Sequence, residues 1–170
     1  MPITPFHLGP GALFKALAPR YFSFTVFAFS QFLIDLEPGF FWVARGEPVH
    51  PYLHTYLGAL PVAVLSVWPG RRICEWVLRW WNSRLDEAQA RWLAVLPRIG
   101  LREAIAGAFL GAYSHVALDS LMHSDMRPLA PFSLAGRMDG IVSIESLHLF
   151  SVVTGALGVA ILVLLALRRR

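Results

Sequence analysis

The chain has 170 residues, of which 56% are hydrophobic and only 15% are charged, and its mean hydropathy is +0.54. This composition excludes an ordinary soluble domain and predicts a single-domain integral membrane protein. The net charge of +4 does not indicate nucleic-acid binding, because the basic residues are distributed as a membrane-topology signal.

In chain order, a short apolar helix is predicted over residues 6–18. Four longer apolar segments follow, at residues 21–36, 52–68, 104–122 and 143–167. The last contains an uncharged run long enough to cross a hydrocarbon core of about 30 Å. Pro51 is expected to begin the second segment and Pro61 to kink it. The Pro- and Gly-rich loop over 127–140 is predicted to contain no helix.

Residues 71–97, which follow the expected break at Pro69-Gly70, mix tryptophan with arginine. This pattern predicts an amphipathic helical insertion on the cytoplasmic side, divided at Asn82-Ser83. Ser83 and Asp86 have the types expected of a capping box. The alternative is a solvated helical hairpin with its tryptophans packed inside.

The predicted fold is therefore all-α: an integral membrane helical bundle of about four spanning helices, with a short N-terminal helix and the amphipathic segment, forming one domain over 1–170. Most of the fifteen basic residues fall at one end of these helices. The positive-inside rule then predicts a multi-pass protein with residues 71–97 and the C-terminus in the cytoplasm.

The motif Ser114-His115-Val-Ala-Leu-Asp119 carries the candidate chemistry. Residues four apart on a helix share one face, so His115 and Asp119 direct an imidazole and a carboxylate to one point. An ionised carboxylate inside a membrane costs free energy that a bound cation would offset. The alternative is a helix end where these groups meet interfacial water.

All six histidines and several carboxylates fall on the predicted outer side, which favours a metal site there. The candidate metal ligands are His7, Asp35, His54, His115 and Asp119, with His50, His123, Asp125 and His148 as secondary candidates. Asp35 and Glu145 are the candidate catalytic carboxylates, and Glu145 with His148 has the Glu-x-x-His spacing of metal sites in helical bundles. Alternatively, His50 only caps its helix, His123, Asp125 and His148 lie among headgroups, and Glu37 is a solvated partner of Asp35.

Imidazole and carboxylate ligands favour zinc, with manganese or iron as alternatives, and the number of candidates permits one or two ions. The predicted function is a membrane-bound metal-dependent hydrolase, in which metal-activated water attacks a lipid-like, phosphoester or other ester substrate. Membrane lipid and a small-molecule or lipid substrate are the expected partners. The alternatives are a transporter or metal-handling protein without hydrolytic activity, and a polar cluster that only holds the helices together.

The order of motifs resembles the LexA-regulated, YdjM-type family of inner-membrane metal-dependent hydrolases. The resemblance lies in His7 with Gly9, Asp35-Leu-Glu37-Pro38, His50-Pro-Tyr-Leu-His54-Thr55, the Ser-His-x-x-x-Asp motif and Glu145. The chain differs from the family at Ile34 and Glu37 and in the spacing from His50 to His54. The resemblance implies a metal-dependent hydrolase of the bacterial inner membrane.

Overall fold

A computed structural model describes residues 4–44, 50–134 and 140–168, and in these residues it contains helices and no strands. A 3₁₀ turn at Thr4–His7 leads into α1. The helices are α1 (Leu8–Leu17), α2 (Phe24–Ile34), α3 (Leu36–Ala44), α4 (Tyr56–Leu65), α5 (Arg71–Asn82), α6 (Glu87–Leu93), α7 (Leu101–Ser120) and α8 (Ile144–Arg168), with a π-helical turn at Ser66–Gly70 between α4 and α5. The all-α prediction is confirmed for the described residues.

Two helical stretches of the described chain are long and apolar enough to cross a membrane, namely Phe24–Ala44 and Ile144–Arg168. The first comprises α2 and α3, and the second is α8. About four spanning helices were expected, and four are not confirmed: the helix that includes α4 continues into the charged α5, and α7 is less apolar than the two candidates. The described part of the 127–140 loop contains no helix, and residues 135–139, 169 and 170 lie outside the described residues.

The expected break at Pro69-Gly70 is wrong, because the helix continues through the π turn into α5. Pro69 has no backbone N–H to donate, and it lies in a π turn, where hydrogen bonds join residues five apart instead of four. The expected start at Pro51 is also wrong. Thr55 is the N-cap of α4, and its hydroxyl accepts a hydrogen bond from Gly58 N at 2.8 Å.

The amphipathic segment is divided at Asn82-Ser83 as predicted, but its capping box is formed by different residues. Asp86 caps α6, and its partner is Gln89 rather than Ser83. The four tryptophans of the segment are each exposed by more than two fifths, so they do not pack inside a hairpin of this chain. They are Trp76, Trp80, Trp81 and Trp92.

Glycine lets α7 approach α2 closely. A Cβ atom on Gly107 would overlap the carbonyl oxygen of Ser23, and one on Gly111 would overlap Ser30. The spacing of these two glycines is the small-xxx-small pattern that brings helix backbones together in membrane proteins. The close approach aligns the end of α2, next to Asp35, with the last turns of α7.

A second close contact joins α1 to α8. A Cβ atom on Gly9 would overlap the carbonyl oxygen of Ser151, and one on Gly158 would overlap the backbone of Ala12. This contact fixes α1, and with it His7 at the helix N-terminus, against the rest of the bundle.

The two ends of the bundle differ in chemistry. At one end, the C-termini of α2 and α7 meet the N-termini of α1 and α4, where the histidines lie. At the other end, Lys15, Arg20 and Arg98 line one cavity together with Trp80 and Trp81. The separation of histidines from basic residues expected from the sequence is thus present in the fold.

Candidate metal centre

Four side chains from three parts of the chain converge at the histidine-rich end. Each of Asp35, His54, His115 and Asp119 offers one ligand atom, and these atoms all lie within 4.8 Å of one another. Asp35 follows α2, His54 precedes α4, and the other two lie four residues apart on α7. His54, His115 and Asp119 are almost fully buried, whereas the Asp35 side chain is 25% exposed.

Glu37 fixes the orientation of His54. Its buried carboxylate accepts hydrogen bonds from the backbone N–H groups of Tyr52 and Leu53, at 2.9 Å, and of His54, at 3.3 Å. The same carboxylate accepts a hydrogen bond from Nδ1 of His54 at 3.0 Å. A carboxylate can only accept, so Nδ1 carries the proton and Nε2 is the nitrogen that faces Asp35 and Asp119.

Gln31 does the same for His115. The amide nitrogen of Gln31 donates to the carbonyl oxygen of Gly111 at 3.2 Å, so the amide oxygen faces Nδ1 of His115, 2.5 Å away. Nδ1 of His115 therefore donates, and Nε2 faces the two aspartates. Within the described part of the chain, Nε2 of His54 and Nε2 of His115 are buried without a hydrogen-bond partner of their own.

The separations between ligand atoms fit a bound cation. Nε2 of His115 lies 3.1 Å from Oδ1 of Asp35 and 3.2 Å from Oδ2 of Asp119, while Nε2 of His54 lies 3.9 and 3.6 Å from the same two atoms. Ligands at about 2.0–2.1 Å around a tetrahedral zinc ion are separated by about 3.3–3.4 Å. The observed distances bracket that value.

The carboxylates around His54 also affect its proton affinity. Burial lowers the pKa of this imidazole, but the neighbouring carboxylates of Asp35 and Glu37 outweigh burial and raise the pKa overall. The site therefore favours positive charge on the imidazole when no cation is bound. A divalent cation would supply that charge and displace the proton.

His7 contacts the other oxygen of Asp119. Its Nε2 lies 3.1 Å from Oδ1 of Asp119, and its ring lies 4.6 Å from that of His115. His7 is buried but does not belong to the group of four mutually close ligand atoms. His7 therefore contacts Asp119 from the N-terminus of α1, on the oxygen that does not face His54 and His115.

The secondary candidates lie at the rim. His50 is buried, its Nδ1 lies 2.9 Å from Oδ2 of Asp125, and its ring stacks on that of His123. His50 is thus not a helix cap, since α4 begins at Tyr56. His148 stacks on Phe6 and lies next to His7 without joining a ligand group.

Glu145 does not join the cluster. It lies in the first turn of α8, and its side chain is exposed to solvent. Two residues that were not predicted as site residues, Glu37 and Gln31, orient the imidazoles of His54 and His115. The signal for Gln31 was an isolated amide in an apolar run one turn before Asp35, and the signal for Glu37 was its position two residues after Asp35.

Comparisons with protein-family models, with curated proteins and with solved structures found no match to this chain.

Proposed function

We propose that this protein is a membrane-embedded metal-dependent hydrolase that binds a divalent cation through Asp35, His54, His115 and Asp119. One observation carries the proposal: the Nδ1 atoms of both histidines are already engaged by oxygen acceptors, and both Nε2 atoms face carboxylates. Two neutral imidazoles in this state would direct lone pairs at negative oxygens, which is unfavourable unless a proton or a metal cation lies between them, and a divalent cation would displace that proton.

The ligand set indicates the metal and the chemistry. Nitrogen and carboxylate oxygen without thiolate favour zinc, with manganese or iron as alternatives. Such an ion supplies an activated water molecule and polarises an ester group of the substrate. Asp35 is the one ligand of the four with substantial solvent exposure. We therefore assign to it the contact with incoming water and acceptance of the proton, and we assign no catalytic role to Glu145.

The exposed apolar surface supports a location in a membrane. Leu149, Val152, Leu157 and Leu164 of α8 are each at least half exposed in this chain. Burying them against lipid would offset the cost of hydrating them, at about 25 cal/mol per Å² of apolar surface. In the proposed arrangement, the part of the α4–α5 helix before Arg71 and α7 cross the inner membrane beside the two longer apolar stretches, giving four spans, and residues 71–97 lie on the cytoplasmic side. The resemblance to YdjM-type hydrolases agrees with this arrangement.

A transporter or metal-handling protein is less well supported. A transport path needs polar groups near the middle of the membrane that are reached from both sides. Beyond Gln31, the packing between α2 and α7 continues through buried apolar side chains such as Val26, Ala104 and Ala108. Retention of metal without flux in liposomes would agree with the hydrolase, and metal flux would overturn it in favour of transport.

Metal content of the detergent-purified protein tests the site. The wild-type protein is expected to retain zinc, manganese or iron after purification, as measured by mass spectrometry. His115→Ala and Asp119→Ala are expected to lose it, since each removes one of four ligands. Glu75→Ala is the matched control, because Glu75 accepts a hydrogen bond from Ile99 N at the opposite end of the bundle. Unchanged metal in both site variants would end the proposal.

Hydrolysis is tested separately. The metal-loaded protein is expected to cleave at least one chromogenic phosphoester or carboxylic ester, to lose that activity with a chelator and to regain it with zinc. Activity that persists in His115→Ala would belong to a contaminant. Full metal occupancy with no cleavage of lipid, phosphoester or carboxylic ester substrates would favour metal handling over hydrolysis.

Orientation is tested with a fluorescent protein fused after Arg170. Because the basic residues collect at the end of the bundle away from the histidines, the C-terminus is expected in the bacterial cytoplasm, where the fusion fluoresces. A fusion that is expressed at normal levels but dark would reverse the orientation.

A further inference from the structure

A second group of potential ligands lies beside the first and shares one residue with it. His50, His123 and Asp119 each offer one ligand atom, and these three atoms lie within 4.8 Å of one another. Asp119 belongs to both groups. Its Oδ2 faces His54 and His115, and it is the only carboxylate of the first group that also approaches the histidines at the rim.

His50 is oriented in the same way as the two deeper histidines. Its Nδ1 lies 2.9 Å from a carboxylate oxygen of Asp125, which can only accept, so Nδ1 carries the proton. Nε2 is then the nitrogen available for a ligand. The residue is only 3% exposed, so this orientation is built into the interior rather than adopted on the surface.

His123 completes the group from the segment that follows α7. Its backbone N–H donates to the carbonyl oxygen of Asp119 at 2.9 Å, which holds the loop over the end of the helix. Its ring stacks on that of His50, with ring centroids 4.7 Å apart and an angle of 23° between the planes. The hydrogen bond joins His123 to Asp119 and the ring stack joins His123 to His50, so two separate contacts hold the group together.

From this arrangement we infer that His50, His123 and Asp119 form a second divalent-cation site, with Asp119 bridging the two cations. The inference deepens the proposed hydrolase and depends on the first site. A shared carboxylate is a common way to hold two cations about 3.5–4 Å apart, the spacing used in two-metal hydrolysis.

The two sites differ in their number of protein ligands. The first has four, so its cation would take up water by expanding to five ligands. The second has three, which would leave a fourth position open, and His123 is partly exposed. Three protein ligands with an open fourth position are typical of catalytic zinc sites. The second cation would therefore be the more accessible of the two to water and substrate, and Asp125 is its positioning residue.

The test is the stoichiometry of zinc binding to full-length protein in detergent, after metal is stripped with a chelator and zinc is returned. Wild type is expected to bind two equivalents. His123→Ala is expected to bind one, and His148→Ala, which removes an imidazole outside both groups, is expected to bind two. Asp125→Ala is expected to weaken only the second equivalent, by about 10–100-fold, because it removes the acceptor that orients His50.

The outcomes separate this inference from the proposed function. One equivalent in both wild type and His123→Ala would overturn the second site and leave the hydrolase proposal standing. No zinc in wild type would overturn both. Two equivalents in His123→Ala, or the loss of both with helix content unchanged by circular dichroism, would also overturn the assignment of His123 to a separate site.

Discussion

Replacing Glu37 by glutamine tests whether the orientation of His54 controls metal binding. The substitution keeps the size of the side chain but makes one of its two terminal atoms a donor. Both oxygens of Glu37 currently accept hydrogen bonds, one from Tyr52 N and Leu53 N and the other from Leu53 N and His54. The glutamine amide has one acceptor oxygen, so it can accept hydrogen bonds at only one of these two positions. At the other position its NH₂ group faces N–H groups that have lost their acceptor.

The expected magnitude follows from these contacts. Loss of a partner that orients a metal-ligating histidine typically costs 10–100-fold in metal affinity, or about 1.4–2.8 kcal/mol. A buried N–H group left without an acceptor costs about 1–3 kcal/mol of folding stability in addition. Glu37→Gln is thus expected to weaken zinc binding by one to two orders of magnitude and to lower the unfolding temperature.

Zinc affinity is measured by competition with a chromogenic chelator, and folding by circular dichroism on heating. Glu75→Gln is the matched control, because Glu75 accepts a backbone hydrogen bond from Ile99 but lies at the other end of the bundle. Its zinc affinity is expected to stay within twofold of wild type. If folded Glu37→Gln binds zinc as tightly as wild type, the hydrogen bond that His54 donates to Glu37 does not control how His54 binds the metal, and this account of the site is refuted.

Three further predictions concern other parts of the fold. Gln31→Leu removes the acceptor for His115 Nδ1 and is expected to weaken zinc binding about 10–100-fold. Ser30→Ala is the control, because the Ser30 hydroxyl donates to Phe27 in its own helix, and equal zinc affinities of the two variants in the chelator competition would contradict the prediction. Gly158→Ala is expected to destabilise the protein by about 1–3 kcal/mol in thermal unfolding, because the new methyl group overlaps the backbone of α1. Gly155→Ala, whose new methyl group comes no closer than 3.3 Å to α1, is expected to cost less, and the reverse order would show that α1 and α8 pack differently. The Cys74 side chain is buried, so a maleimide at pH 7.5 is expected to label it only after denaturation, and rapid labelling of the folded protein would contradict its burial.

Local spacing predicted the centre of the site. His115 and Asp119 were expected to share a helical face, and in the structure Nε2 of the first lies 3.2 Å from Oδ2 of the second. This relation depends only on the geometry of one helix. The convergence of Asp35 and His54 on the same point was a hypothesis from the common end of several helices, and the close glycine contact between α2 and α7 provides its physical basis.

The surroundings of the site could not be predicted in the same way. Glu37 was interpreted as a solvated partner of Asp35, yet it is buried and accepts hydrogen bonds from the backbone of residues 52–54. Every residue except proline has a backbone N–H group, so these donors could not be recognised from the sequence of the loop. His50 could be recognised as a rim residue only once the segment with His123 was seen to fold back over the end of α7.

The π turn at Ser66–Gly70 determines which residues of the following helix face the core. From Val62 to Leu78 one series of buried positions recurs every fourth residue, at Val62, Ser66, Gly70, Cys74 and Leu78, and Ala63 is buried beside it. Val62 and Leu78 are sixteen residues apart in the chain, whereas four turns of regular α-helix advance the chain by about 14.4 residues. The difference is about 1.6 residues, and a π turn absorbs one residue of it. The π turn therefore keeps the same face of the long helix against the core, from the histidine-rich end of the bundle to the arginine-rich end.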